Sequence, residues 1–155
     1  MTTEEQLQWL LDRAQISDLL IEFARALDDG DAEAYAATYA EDGVLELPGG
    51  FRIEGRAALG GSVAHVLGGY RAVWHLSANH AIEIDGDVAR TRSYMLAVHR
   101  HGDDPADHAT GAGWYENTLR RTAEGWRFAV VRVHVVWRSG AGPLPGEAAA
   151  TEATA

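Results

Sequence analysis

The sequence contains no cysteine among its 155 residues. Disulfide bonds, thiolate nucleophiles, zinc–thiolate sites and cysteine-ligated iron–sulfur clusters are therefore excluded. Basic residues are also scarce: 13 Lys and Arg stand against 23 Asp and Glu, which gives a formal net charge of −10 and an isoelectric point near 5.0. Because nucleic acids and anionic membranes are bound by basic surfaces, we expect neither nucleic acid nor a membrane as a partner.

Long apolar runs are missing as well. No stretch approaches the roughly 20 residues that a membrane-spanning helix needs. Residues 1–6 have neither the basic start nor the apolar run of a secretory signal peptide. We therefore expect a cytoplasmic protein. With 46% hydrophobic and 23% charged residues, the chain has the composition of one ordinary soluble domain.

Three helices are predicted in the first half of the chain. Apolar residues recur at helical spacing from about Glu4 to Leu27, which predicts a first helix that ends before an Asp-Asp-Gly-Asp turn. Asp31 in that turn resembles the N-cap of a short second helix. Two short strands joined by a Pro-Gly-Gly turn are predicted over 44–54, and a third helix over 56–67.

Four long strands are predicted in the second half. Residues 72–84 and 88–101 form one hairpin across an Asp-Gly turn, and 109–121 and 126–138 form a second. Helices first and antiparallel strands afterwards indicate an α+β domain. Because three short helices cannot cover a flat sheet of this size, we expect the sheet to curl around them. A curled sheet closed by helices leaves a cone-shaped cavity, which suits a small hydrophobic organic ligand.

The chain is expected to hold one folded domain, residues 1–139, followed by a disordered tail. The tail, 140–155, is rich in Ala, Gly, Pro, Thr and Glu and offers nothing to bury. The last predicted strand also carries an apolar strip, which consists of Val131, Val133, Val135 and Trp137. If this strip lies outside the cone, a monomer would expose it, so we predict a homodimer or a homotrimer.

Asp28 and His75 are the candidate catalytic residues. Asp28 ends the first predicted helix, and His75 lies 47 residues later in an apolar and aromatic strand. If the fold brings them together, they form a carboxylate-oriented imidazole, which can act as a general base toward an uncharged organic molecule. Each residue alone has an ordinary structural explanation, Asp28 as a turn residue and His75 as a hydrogen-bonded core histidine.

Strand alternation, together with the aromatic residues expected to form the walls of the cone, suggests further side chains that face the cavity. We predict that nine residues contact the substrate: Phe23, Tyr39, Trp74, Asn79, His99, Tyr115, Asn117, Phe128 and Arg132. The aromatic members could equally serve core packing, Asn79 could satisfy the backbone near a strand kink, and Arg132 could form a surface ion pair. No metal site is predicted, because no carboxylate stands at ligand spacing from His99 and His101. The sequence also has no phosphate-binding glycine loop and no nucleophilic serine elbow.

From about Leu7 to Arg138, the sequence resembles the SnoaL-like branch of the NTF2-like superfamily. The matching segments are 23–31 (FARALDDGD), 39–44 (YAEDGV), 53–56 (IEGR), 75–79 (HLSAN), 84–89 (IDGDVA), 125–128 (GWRF) and 137–138 (WR). This resemblance implies a cone-shaped barrel in which three N-terminal helices pack in a strongly curved, mostly antiparallel sheet. The superfamily hosts lyases, isomerases, cyclases and binding proteins, so the fold does not determine the activity.

Within the superfamily, the sequence looks most like hexachlorocyclohexane dehydrochlorinase, bile-acid dehydratase and, more distantly, scytalone dehydratase. This resemblance implies a cofactor-independent lyase or isomerase in which His75 removes a proton and Asp28 orients it. It also implies that Arg132 assists the leaving group, and that a polar residue stands where this chain has Phe23. Two alternatives stay open: a non-catalytic binding or accessory protein, and a polyketide cyclase.

Overall fold

The computed structural model describes residues 1–145 and residue 147. The helices are α1 (Thr3–Asp29), α2 (Ala32–Ala37) and α3 (Arg56–Leu67). The strands are β1 (Tyr39–Glu46), β2 (Arg52–Glu54), β3 (Ala72–Asp85), β4 (Val88–Arg100), β5 (His108–Thr122) and β6 (Gly125–Ser139). A single 3₁₀ turn, Pro48–Gly50, joins β1 to β2.

Local sequence signals determine both ends of α1. The Thr2 hydroxyl accepts a hydrogen bond from the backbone N–H of Glu5, whose carboxylate accepts one from the backbone N–H of Thr2. At the other end, Gly30 adopts a left-handed φ of 66° and donates its N–H to carbonyls of the last turn. The helix extends two residues beyond its predicted end, so Asp28 lies in its last turn. Asp31 caps α2, as the sequence predicts.

The six strands form one sheet in the order β2-β1-β6-β5-β4-β3. Neighbouring strands are antiparallel except β1 and β6, which run parallel. The sheet curls around the helices and stays open, with β2 and β3 at its edges. The predicted α+β architecture, with helices packed in a strongly curved and mostly antiparallel sheet, is confirmed.

An aromatic cluster fills the core between the helices and the concave face of the sheet. The Phe23 ring of α1 lies at its centre, with ring centroids 5.3 to 6.2 Å from those of Tyr35, Tyr39, Tyr115 and Phe128. Tilted and edge-to-face pairs of this kind contribute about 0.5–1.5 kcal/mol each beyond the burial of their surface. The cluster therefore fixes α1 and α2 against β1, β5 and β6.

A partly buried ion pair connects α1 to the hairpin of β5 and β6. Asp12 accepts two hydrogen bonds from the Arg121 guanidinium, at 2.7 and 2.9 Å, and a third from the indole N–H of Trp126 at 3.0 Å. The bonds from Arg121 are the largest of the influences that lower the pKa of Asp12 to about 2. Because α1 also carries Asp28, this ion pair helps to set the position of that residue over the sheet.

A β-bulge in β6 changes which of its residues face inward. A register shift between β5 and β6 leaves Ala129 as an extra residue, and an extra residue reverses the alternation of faces beyond it. Val131 is therefore buried, and Val133 and Val135 line the inner cavity. The expectation that these three valines form an apolar strip outside the cone is wrong. Trp137 is exposed, because a second extra residue, Val136, reverses the alternation again.

Exposed apolar side chains lie on the outer face of the sheet instead. Trp74, Tyr94 and Trp137 are 50%, 56% and 54% exposed. The homodimer or homotrimer stays a prediction, and so does the cytoplasmic location.

No helix within residues 1–145 and 147 has the length and apolarity needed to cross a bilayer.

The C-terminal tail contributes one residue to the interior. The expectation that nothing after Gly140 is buried is wrong at Leu144, which is 6% exposed and packs against Gly111. Nearby, the Tyr70 hydroxyl donates a hydrogen bond of 3.3 Å to the carbonyl of Pro143. Residues 146 and 148–155 lie outside the described residues, so the disorder of that part of the tail stays a prediction, as does the domain boundary at residue 139.

Candidate active site

A cavity of about 120 Å³ lies between the helices and the concave face of the sheet. A protein cavity that binds benzene has a similar volume, about 150 Å³, so the space suits a ligand with a single ring. Its wall is mostly apolar. The polar residues in the wall are Tyr35, Ser62, His75, His99, Tyr115 and Glu147.

Asp28 and His75 meet at the wall of this cavity. The Oδ1 atom of Asp28 lies 2.7 Å from Nδ1 of the His75 ring, and Oδ2 accepts the backbone N–H of His75 at 3.1 Å. Because a carboxylate can only accept, this contact assigns the proton of the neutral ring to Nδ1 and leaves Nε2 as the acceptor. Within residues 1–145 and 147, Nε2 has no hydrogen-bond partner. The dyad therefore presents a basic nitrogen to the cavity.

Helix α1 runs along the edge strand β3, and this packing makes the dyad possible. Three polar contacts connect the two elements: Arg13 with the Ile82 carbonyl at 2.9 Å, Ser17 with His80 at 2.8 Å, and Asp28 with His75. Gly30 ends the helix two residues after Asp28, so the carboxylate stands at the end of the helix that faces His75. Strand alternation turns His75 inward, while Trp74 and Leu76 beside it are exposed.

A second imidazole, His99 of β4, lies beside the dyad. Its ring centroid is 5.2 Å from that of His75, and the two rings are nearly perpendicular. His99 is 2% exposed, and neither ring nitrogen has a partner at hydrogen-bond geometry among the described residues. Burial lowers the pKa of His99 to about 4, and the nearby His75 acts in the same direction, while the backbone of Ala109 opposes the shift to a smaller extent. His99 is therefore neutral near pH 7 and could donate or accept a hydrogen bond.

Three tyrosines surround the Phe23 ring. The hydroxyl oxygens of Tyr35 and Tyr39 are 2.9 Å apart, and Tyr35 and Tyr115 line the cavity. Burial raises the pKa of each of the three phenols above its ordinary value. All three therefore stay protonated near neutral pH and can act as hydrogen-bond donors.

Three of the nine predicted substrate contacts line the cavity: Phe23, His99 and Tyr115. Three others are buried behind its wall: Tyr39, Asn117 and Phe128. Asn117 donates a hydrogen bond of 3.0 Å to the Thr91 hydroxyl rather than facing the cavity. The remaining three, Trp74, Asn79 and Arg132, lie away from the cavity.

For those last three residues, the predicted position in the cavity is wrong. Trp74 lies on the outer face of β3. Asn79 stands in a bulge of β3 and has a φ of 55°, a left-handed conformation that asparagine tolerates. The bulge turns the His80 side chain inward instead of the Asn79 side chain. Arg132 lies outside because of the bulge in β6, and its guanidinium pairs with Glu46 at 2.6 Å.

The sequence analysis missed Tyr35, Val133, Val135 and Leu144 as cavity residues. The tyrosines at 35 and 39 share one side of the predicted second helix, which was a usable signal for Tyr35. Leu144 is the one large apolar residue between 140 and 155, and that isolation could have marked it as an anchor. The inward position of the two valines depends on a bulge that leaves no local signature.

The described residues, 1–145 and 147, include no group of three or more His, Asp or Glu side chains that could hold a metal ion. His75 already shares its Nδ1 with Asp28, and His99 offers two unpaired nitrogens. The polar groups at the site include one imidazole–carboxylate pair, one neutral imidazole and the phenols.

Comparison with known proteins assigns the chain to a family. The model of the SnoaL-like domain family matches residues 8–132. An uncharacterized protein of Mycobacterium tuberculosis is 25% identical over 117 residues, which cover 75% of this chain and 80% of that relative.

Solved structures with a similar fold include two proteins of Novosphingobium aromaticivorans. A proposed aromatic ring hydroxylase is 28% identical with a TM-score of 0.78, covering 85% of this chain and 94% of that chain. A proposed scytalone dehydratase is 21% identical with a TM-score of 0.78, covering 87% and 91%. A hexachlorocyclohexane dehydrochlorinase is 19% identical with a TM-score of 0.79, covering 91% and 99%. At these identities, the last two show a shared fold.

Proposed function

We propose that this chain, which belongs to the SnoaL-like domain family, is a lyase or isomerase that uses His75 as a general base and Asp28 to orient it. The family and its scytalone dehydratase and dehydrochlorinase neighbours support a fold of the dehydratase or isomerase type. The observation that carries the proposal is the 2.7 Å contact between Asp28 and Nδ1 of His75 at the wall of an apolar cavity.

The mechanism begins with removal of a proton from carbon. Nε2 of His75 takes a proton from a C–H group next to a carbonyl, and the charge of Asp28 stabilises the imidazolium that forms. General base catalysis of this kind contributes about 10²–10⁴ in rate. The imidazolium then returns the proton, either to a departing hydroxyl group, which leaves as water, or to another carbon, which yields an isomer. Neither route consumes a cofactor.

The cavity supports a small substrate with one ring. Its volume of about 120 Å³ and its mostly apolar wall favour an uncharged molecule. One structure at 28% identity is named for a reaction on aromatic rings, which also supports a ring-shaped substrate here.

A non-catalytic binding protein is the second candidate. Phe23 favours it, because this buried aromatic residue stands where the dehydrochlorinase resemblance implies a polar group that assists the leaving group. A binding protein would keep the cavity and its ligand but would not depend on the basicity of His75.

Substitution of His75 by alanine tests the proposal. Single-ring β-hydroxy ketones are incubated with the protein and followed by mass spectrometry for loss of water, and cyclic enones are followed by NMR for exchange of C–H protons in D₂O. We expect the wild type to act on at least one compound and His75→Ala to lose about 100-fold or more of that rate. His134→Ala is the control, since His134 stacks on Trp114 on the outer face of the sheet.

Two results would contradict the proposal. A His75→Ala variant with wild-type turnover would show that another group is the base. Binding of the compounds without turnover by the wild type would favour the binding protein.

A further inference from the structure

We propose that a cleft at the end of β1, outside the cavity of the dyad, binds a small aromatic carboxylate and that Arg132 holds the carboxylate group. The cleft has a volume of about 310 Å³, at the lower end of the range for small-molecule sites. Leu47 and Val133 separate it from the inner cavity, since both residues also line that cavity. The site is independent of the proposed function.

Charged residues stand side by side across the sheet at this cleft. Strand pairing places Glu46 of β1 between Arg52 of β2 and Arg132 of β6, and it places Glu116 of β5 on the other side of Arg132. Glu46 accepts hydrogen bonds from both arginines, from Nε of Arg132 at 2.6 Å and from a terminal NH₂ group of Arg52 at 3.3 Å. Two guanidinium groups that line the cleft therefore share one carboxylate.

Arg132 keeps hydrogen-bond donors for a ligand. Its Nε–H is donated to Glu46, while the neighbouring carboxylate of Glu116 pairs with His134 at 3.0 Å instead. Arg52 is bound on its other side by Glu54 at 3.2 Å. Among residues 1–145 and 147, both terminal NH₂ groups of Arg132 lack a hydrogen-bond partner. These two groups form the edge of a guanidinium that can bind a carboxylate through two parallel hydrogen bonds.

Glu46 orients the Arg132 guanidinium before a ligand binds. The 2.6 Å bond at Nε restrains the plane of the group, and the contact with Arg52 restrains Glu46 in turn. A side chain that is already ordered loses less conformational freedom on binding, so more of the interaction energy appears as affinity. The pairing with Glu46 therefore prepares the free edge of Arg132 for a ligand.

Apolar side chains in the cleft favour a ligand that carries a ring. Leu47, Phe51 and Val133 line it together with the charged residues, and Phe51 is 37% exposed. An aromatic ring can pack against the Phe51 ring in an offset or edge-to-face arrangement. Gly50 has a φ of 83°, and no heavy atom lies within 4 Å of the position that a Cβ would take. The space beside Phe51 is therefore open to a flat molecule.

The inner cavity is a poor alternative for the same ligand. Among the described residues, none that lines it is Lys or Arg, and Asp28 carries a negative charge at its wall. Burying a carboxylate without a cationic partner is costly. The chain as a whole has a formal net charge of −10, so an anion needs a local cationic group in order to bind. Arg132 supplies that group in the outer cleft.

A benzoate titration, followed by NMR of the backbone amides, tests the site. Acetate keeps the carboxylate and lacks the ring, whereas benzyl alcohol keeps the ring and lacks the charge. Arg132→Gln removes the charge, and Arg132→Lys keeps the charge but not the two-pronged edge. Arg71→Gln is the matched control, since Arg71 is exposed, pairs with Asp103 and precedes β3 at the opposite edge of the sheet. Thermal unfolding verifies that each variant is folded.

We expect benzoate to shift the amide signals of residues 46–52 and 132–134 and to bind more tightly than acetate or benzyl alcohol. Arg132→Gln should weaken benzoate binding at least about 10-fold, as the loss of hydrogen bonds to a charged group does. Arg132→Lys should have an intermediate affinity, and Arg71→Gln should match the wild type.

Four results would overturn the site. Benzoate could fail to bind, or its shifts could map to the inner cavity around His75 and His99. Acetate could bind as tightly as benzoate, which would leave the ring without a role. Finally, Arg132→Gln and Arg71→Gln could lower the affinity equally, which would indicate a general effect of net charge.

Discussion

Replacing Asp28 with asparagine keeps the shape of the side chain and removes its charge. In the wild type, both carboxylate oxygens accept hydrogen bonds from His75, one from Nδ1 at 2.7 Å and one from the backbone N–H at 3.1 Å. Asparagine offers one oxygen and one NH₂ group, so it can accept from only one of these donors. The dyad therefore loses one contact in either orientation of the amide.

Both orientations impair the base. If the amide oxygen stays on the backbone N–H, the NH₂ group faces Nδ1, and the proton of the ring moves to Nε2, where the substrate proton should go. If the oxygen faces Nδ1, two donors meet at the backbone, which costs about 1–3 kcal/mol. In both cases the imidazolium also loses a charged partner, and a hydrogen bond to a charged group is worth about 1.5–3 kcal/mol. We therefore expect turnover to fall by about 100-fold or more.

The tautomer can be measured without a substrate. Nitrogen NMR of the His75 ring should show the proton on Nδ1 in the wild type and a population shifted to Nε2 in Asp28→Asn. The control is Asp29→Asn, since Asp29 is the next residue, is exposed and pairs with Arg25. A variant of Asp28 that retains both the Nδ1–H tautomer and wild-type turnover would refute this reasoning.

Two further predictions concern the ion pair and the tail. The shift of the Asp12 pKa from 3.8 to about 2 corresponds to about 2 kcal/mol of stability, which is present above about pH 4 and is lost as the pH falls through 2. Urea unfolding of Asp12→Asn should therefore show a deficit of about that size at pH 7 and little near pH 2; an equal deficit at both would contradict the linkage. Leu144→Ala should enlarge the cavity that this residue lines and raise the affinity for 4-nitro-1-naphthol relative to 4-nitrophenol, and an unchanged ratio would show that the leucine does not limit ligand size.

The helices could be predicted because their signals are local. The turn at 28–31 and the glycine at 55 stand next to the residues that they affect, and the third helix spans 56–67 as its pattern indicates. The Asp28–His75 meeting was also predictable, since it needs a helix end and an inward strand residue before any bulge. This prediction could have failed only if α1 did not pack along β3.

The inward faces of the long strands could not be predicted with the same certainty. One extra residue reverses the positions that follow it, so the bulge at Asn79 misplaces the later residues of β3. The bulge at Ala129 misplaces the residues of β6 up to Val135, after which a second extra residue, Val136, restores the alternation. For this reason Arg132 lies on the outer face and Val133 on the inner face, the opposite of the predicted positions. The contact between the hydroxyl groups of Tyr35 and Tyr39 is likewise created by tertiary packing.

The charges around the cavity favour some leaving groups over others. Among the described residues, none that lines the cavity is Lys or Arg, and the cation that the resemblance implied, Arg132, lies on the outer face. A halide leaves as a free anion. The cation that the proposed mechanism forms, the His75 imidazolium, is already paired with Asp28, so the halide would have no counter-charge in the cavity, and burying an unpaired anion is costly. A hydroxyl group instead takes the proton of the His75 imidazolium and leaves as neutral water. Under the proposed mechanism we therefore expect dehydration or isomerisation rather than loss of halide, although the fold is shared with a dehydrochlorinase.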